Sequence, residues 1–416
     1  MLYFRKKPIL PGLRLLIMTS VVFPVVAAAW PQRGTVIESN LLASYKRDEI
    51  AAFLTKEPAS EQPKCDVHVV ELNYATVGVS GEPTTASGVL LIPDGSYCPA
   101  PYPMLSWGPM ISALRHAGQA KAIFNAKGNT PLVTRLASQG YVVVGVDYLG
   151  LGNSDYPFHA YLQASSEASA TIDAMRAART VLRGLKTPLS DKVMASGFSQ
   201  GGHSALATQR EIEAHLSNEF SLVASAPISG PYALSQTILD SWYGRSDALD
   251  LIPLATALII GMNRTYHNIY FSPIDVFQEP WADEVEVWFP GDKKLTLDDF
   301  PKPDQIKTYF QPGFYRDFYN PGNPFRLDLV RNNLLRWAPQ APTLLCGSSN
   351  DSLIPLQNAV AAMISFQRRG SKQVSVLDVD AGKPRNKDAN DGLVAHLASL
   401  ESCIIAVRHQ LLDKQR

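Results

Sequence analysis

The 416-residue sequence has no excess of charge of either sign: 38 Lys and Arg balance 38 Asp and Glu, and no basic stripe stands out. That argues against nucleic acid or an anionic membrane surface as the main partner. The chain has no H-E-x-x-H, no C-x-x-C pair and no phosphate loop, so no metal or cofactor is expected. It has no internal repeat and no low-complexity tract. Beyond about residue 30 no apolar run is long enough to cross a bilayer, which leaves no basis for stable membrane insertion of a processed chain. Cysteine is sparse, with four residues: Cys65, Cys98, Cys346 and Cys403.

The first residues differ from the rest. Arg5, Lys6, Lys7 and Arg14 precede LLIMTSVVFPVVAAAW. A basic start, an apolar stretch and then small residues make a secretory signal peptide over 1–29, with cleavage near Ala27–Ala29. A single membrane anchor is the alternative, but the run is short and Pro24 interrupts it. Export to the periplasm or the medium permits disulfides. Cys65 opens CDVHVVELNYATVGV and Cys98 follows ASGVLLIPDG, two strand-like stretches flanking the turn signal SGEPT. A hairpin there sets Cys65 opposite Cys98 and favours a bridge between them. Cys346 and Cys403 then pair or stay free.

Along the chain, SNLLASYKRDEIAAFLTKE reads as a capped helix. After the hairpin come the strand PMLSW, the helix TPLVTRLASQG and the wholly apolar strand YVVVGVD. The helix ASSEASATIDAMRAARTVLRGL, the strand VMASGF and the strand FSLVASAPIS follow. This alternation implies a mostly parallel, doubly wound sheet. It stops near Gly230 and resumes near residue 340 with APTLLCG, a helix, QVSVLDV and a final helix. The core is therefore expected over 30–230 and 340–416. The stretch 231–339, rich in proline and aromatics such as Trp242, Tyr243 and Trp281, is expected to be a cap insertion. Such a cap lines an apolar substrate pocket, or else uses its aromatics for a small core of its own. In the first case it sets substrate choice without taking part in the chemistry.

The most informative run is Gly197-Phe198-Ser199-Gln200-Gly201-Gly202, set between a strand and a helix. Strand, G-x-S-x-G, helix is a nucleophile elbow. The serine occupies a tight turn, and bulk at Gly197 or Gly201 would strike the crossing backbones. The helix N-terminus directs free N–H groups at charge developing near the serine. Serine needs a base, and the base an orienting acid. His396, after the last strand, fits the base; His409 lies well inside the final helix. Asp351 in GSSNDSLIP emerges at a strand's C-terminal end, as the elbow does, and fits the acid; Asp378 and Asp380 are its rivals one strand on. His203, on the helix after the serine, reads as structural. One oxyanion donor is the Gln200 N–H. The other comes from the loop after PMLSW, at Met110 or Ile111, because Pro109 has no N–H.

With these residues the chain resembles the secretory lipase family of α/β-hydrolases, most strongly from DYLGLGNSDYPFHAYLQASSEASATIDAMRAAR through GFSQGGHSALA. The resemblance implies an α/β-hydrolase fold with an inserted cap, a Ser199–Asp351–His396 triad, and metal-free hydrolysis of carboxylic esters, acylglycerols included. Members usually carry a histidine–glycine pair after the third strand, where this chain has Pro109-Met110. Serine peptidases and acyltransferases share the nucleophilic step, and a silent hydrolase-like binding protein is the reading from another class.

Overall fold

The computed structural model describes residues 30–54, 61–242, 251–301, 306–383 and 392–416. The expected signal peptide, Tyr243 and most of the loop before His396 lie outside them. Among the described residues nine strands form one sheet: β1 (Val36–Tyr45), β2 (Asp66–Val77), β3 (Pro83–Asp94), β4 (Tyr102–Gly108), β5 (Val142–Val146), β6 (Leu189–Phe198), β7 (Ser221–Ile228), β8 (Thr343–Gly347) and β9 (Val374–Asp378). Their order is β1-β2-β3-β5-β4-β6-β7-β8-β9. Pairing is antiparallel from β1 to β5 and parallel from β5 through β4 to β9.

Every residue of β4, β5 and β8 is buried, as continuous apolar runs require when helices cover both faces. Alternation divides β5 between two cores. Val142 and Val144 pack with Ile172 and Met175 of the helix Ala164–Gly184, whereas Val143 packs with Ile123, Leu136 and Ile404 on the other face. The chain leaves β4 toward β5 on one side and returns to β6 on the other. The helices that follow β4 and β6 lie on opposite faces, with Ile123 in one core and Leu206 in the other. Connections that diverge in this way open a crevice at the C-terminal ends of the strands.

The first expected helix is corrected in part. Val36–Tyr45 is the edge strand β1, and only Arg47–Leu54 is helical. Most of β1 is exposed, so no alternation marks it; its backbone pairing with β2 decides its conformation. The hairpin is as expected, with Asp66 opposite Asp94 and Val77 opposite Pro83. The Cys65–Cys98 bridge closes its open end across 4.7 Å between Cα atoms. A second bridge joins Cys346 to Cys403.

Between β7 and β8 lies the insertion expected to be a cap, whose main helices are Leu234–Trp242, Leu251–Tyr266 and Pro324–Arg331. It has its own core of Leu258, Ile259, Phe277, Phe310, Phe318 and Phe325. Among the described residues no helix is long and apolar enough to cross a membrane.

Candidate active site

Ser199 stands between β6 and the helix Gln200–Glu211 with φ 59° and ψ −116°, a backbone conformation that a non-glycine residue holds only under strain. Its N–H donates to Ile228 O at 2.9 Å, tying the turn to β7. The flanking glycines are steric requirements. A Cβ on Gly201 would lie 1.7 Å from Gly108 O, and one on Gly197 would lie 2.4 Å from Gly201 O. The chain ends of β4 and β6 cross backbone to backbone at this point.

The structure brings Asp351 and His396 together. Asp351 sits in the loop after β8, and its Oδ2 lies 2.6 Å from His396 Nδ1. Its Oδ1 accepts the Ile354 N–H at 2.9 Å, which fixes the carboxylate plane. Both side chains are buried, and the imidazole packs on Phe198 with ring centroids 4.6 Å apart. His396 Nε2 has no hydrogen-bond partner among the described residues. His396 and Ser199 line one cavity of about 330 Å³. The Cys346–Cys403 bridge joins β8, which leads into the Asp351 loop, to the helix that carries His396.

The rival carboxylates hold the loop that carries Asp351. Asp378 accepts the Ser349 N–H at 3.0 Å and the Asp380 N–H at 2.9 Å. Asp380 accepts from the Ser348 hydroxyl, from Asn350 Nδ2 at 3.3 Å and from Lys383 at 2.9 Å. The Ser348 hydrogen bond, opposed by partial burial and aided by Lys383, holds the Asp380 carboxyl below its ordinary range. His409 is half exposed and lies 3.8 Å from both Glu61 and Asp413. His203 is fully buried in the scaffold, between Glu167 and the Asn332 carbonyl.

Gln200 opens the elbow helix, where the first N–H groups have no intrahelical partner. Met110 and Ile111 both line the cavity. The cap contributes Pro253, Leu254, Phe289, Leu295, Thr296 and Phe300 to the same wall. The lining is apolar except for Thr296, Ser199 and His396. Two aromatics singled out from the sequence are elsewhere. Trp242 is buried among Phe310, Tyr315 and Phe318 in the cap's own core, and Trp281 packs edge-on against Tyr309. The aromatics of the insertion are thus divided between its own core and the cavity, where Phe289 and Phe300 lie.

Sequence reasoning missed the polar chain behind the serine. Gln200 Nε2 donates to Glu167 Oε1 at 2.9 Å, and Glu167 Oε2 meets His203 Nδ1 at 2.7 Å. His159 also borders Gln200, and burial lowers its pKa from the ordinary histidine value. A lone Glu in the small-residue run ASSEASA was the available signal.

No protein-family model and no curated protein matches the chain. Among solved structures it is similar to a ligand-bound form of the rice cell wall degrading esterase LipA from Xanthomonas oryzae, with 60% identity over 93% of this chain and 100% of that one, and a TM-score of 0.88. The chain belongs to this secretory lipase and esterase family of α/β-hydrolases. It is a carboxylic ester hydrolase. Two more distant likenesses bear on the fold alone. A putative hydrolase from Legionella pneumophila is 24% identical over 90% of this chain and 97% of that one, with a TM-score of 0.75. Candida antarctica lipase A is 15% identical over 83% and 76%, with a TM-score of 0.58.

Proposed function

We propose that the enzyme cleaves esters through an acyl-enzyme formed on Ser199. The carrying observation is the 2.6 Å contact of His396 Nδ1 with Asp351, with Nε2 left without a partner among the described residues at the cavity that Ser199 also lines. His396 Nε2 takes the Ser199 proton as Oγ bonds to the ester carbonyl carbon. Asp351 accepts from Nδ1–H and stabilises the imidazolium. The carbonyl oxygen becomes an oxyanion held by the N–H of Gln200 and that of Met110 or Ile111. Collapse breaks the bond to the alcohol oxygen, which takes the proton from His396. Water then attacks the acyl carbon, gives its proton to His396, and the acid leaves as Oγ is reprotonated.

The apolar lining of the cavity supports esters with an uncharged, apolar acyl or alcohol part. Its similarity to an esterase described as degrading rice cell wall makes plant cell-wall esters a substrate class to assay. The basic–apolar–small order of residues 1–29, together with two disulfides, supports export. The test is hydrolysis of short and long p-nitrophenyl esters and of peptide amides, with fluorophosphonate labelling. We expect ester turnover, a single label on Ser199, and loss of both in Ser199→Ala. Labelling at another residue, or faster turnover of amides than of esters, would overturn the reading.

A further inference from the structure

We propose that the cap is a working part of the oxyanion hole, because it grips both segments that carry the donors. The proposal rests on the roles given above to Gln200 and to Met110 or Ile111. It goes beyond a cap that only selects substrates.

The first grip is on the loop after β4. Gly291 of the cap accepts the Arg115 N–H at 2.8 Å and donates its own N–H to Ala113 O at 2.8 Å. This two-bond backbone bridge begins two residues after Ile111. Its cap side is itself fixed. Arg264 donates to Phe289 O at 3.0 Å and to Glu286 O at 2.7 Å, so the segment leading into Gly291 is tied to the helix Leu251–Tyr266. Gly291 has no room for a side chain, since a Cβ there would lie 2.5 Å from Val287 O.

The second grip is behind the serine. His203 Nε2 lies 2.9 Å from Asn332 O, and because a carbonyl only accepts, the ring donates there. The ring's Nδ1 meets Glu167, whose other oxygen accepts from the Gln200 side chain. Asn332 follows the cap helix Pro324–Arg331. Its Oδ1 accepts the Ala164 N–H at 3.0 Å, and its Nδ2 donates to Tyr266 Oη at 3.0 Å. Glu167, Gln200, His203 and Asn332 are all at most 2% exposed. A buried chain of this kind keeps its geometry only while every member is satisfied, so it passes a displacement of the cap to Gln200.

Oxyanion donors act only when held in place in advance, and misplacing a reacting geometry by about 1 Å costs on the order of 100-fold in rate. A disturbed cap should therefore slow even an ester too small to reach it. Glu167, Arg264 and Gly291 are positioning residues in this sense.

The experiment uses the full chain and p-nitrophenyl acetate, with rates taken per folded molecule. Gly291→Ala and Arg264→Gln should lower kcat by roughly 10- to 100-fold with KM changed less than about 3-fold. Affinity for a butylboronic acid, whose serine adduct carries the oxyanion, should fall by the same factor. Glu167→Ala should behave likewise. Glu167→Gln should recover kcat to within about 3-fold, because its amide oxygen can accept from Gln200 while its nitrogen donates to His203 Nδ1. Wild-type kcat on acetate in Gly291→Ala and Arg264→Gln, with losses confined to long esters, would overturn the proposal. So would a Glu167→Gln variant as slow as Glu167→Ala. Wild-type protein inactive on every ester would instead overturn the reading of the site, and this proposal with it.

Discussion

Replacing Asp351 with Asn tests the base most directly, because the structure dictates which way the amide must lie. Oδ1 accepts the Ile354 N–H at 2.9 Å, and only an oxygen can do so. The new amide therefore places its carbonyl there and directs its NH2 at His396 Nδ1, 2.6 Å from the present Oδ2. Nδ1 must then accept, so the imidazole proton moves to Nε2. A protonated Nε2 cannot take the serine proton. The wrong tautomer, with geometry intact, lowered kcat by about 10⁴ in the serine-protease triad, equivalent to about 5 kcal/mol of transition-state stabilisation. We expect a fall of that order on p-nitrophenyl butyrate, with KM little changed. Both hydrogen bonds survive, the one to His396 in reversed sense, so stability should change by less than about 1 kcal/mol. The assay is kcat on butyrate ester beside a urea unfolding curve. An Asp351→Asn variant within 10-fold of wild type would refute the tautomer argument. So would a strongly reduced kcat in Asp378→Asn with Asp351→Asn near normal, which would place the acid one strand on.

The Cys346–Cys403 bridge closes a loop over a separation of 57 residues, so replacing both with Ala should cost about 4 kcal/mol in the chain-entropy model, read from chemical unfolding. Non-reducing peptide maps should show this pair and Cys65–Cys98, and any other pairing would count against both. Phe300→Ala should reduce kcat/KM for long esters well beyond acetate, because Phe300 lines the cavity, whereas Trp242→Ala should lower stability by roughly 3–5 kcal/mol without shifting chain-length preference. Burial lifts the Asp147 carboxyl to about 6 despite hydrogen bonds from Gln119 and Ser87, so its protonated form favours the fold. That contribution is complete below about pH 4 and is lost as pH rises through 6, a change of about 2–3 kcal/mol. Asp147→Asn should remove that slope from the wild-type pH–stability profile, and an unchanged slope would disprove the assignment.

The elbow was legible because its residue types are forced by contact. Gly197, Gly201 and Gly108 lie where two backbones cross, so no side chain fits and the glycine pattern survives in the sequence. The buried parallel strands were legible because burial on both faces leaves an unbroken apolar run, as in YVVVGVD. β1 was not, since an exposed edge strand has no apolar face to alternate. In the cap, aromatic content signalled a packed apolar insertion. Which ring faces the cavity depends on helix packing, and Trp242 and Phe300 cannot be told apart by composition.

The choice proposed for the acid shows where sequence order stops being informative. Asp351, Asp378 and Asp380 all lie at the C-terminal ends of neighbouring strands, so position alone ranks them weakly. Their hydrogen-bond partners differ, and that difference supports the proposed choice. Asp378 turns to the backbone N–H groups of Ser349 and Asp380, and Asp380 to the side chains of Ser348, Asn350 and Lys383. Asp351 spends one oxygen on its own loop and keeps the other for His396. The two rivals thus brace the loop that presents the third carboxylate. Their loss should act through the placement of Asp351 rather than by removing a group from the chemistry.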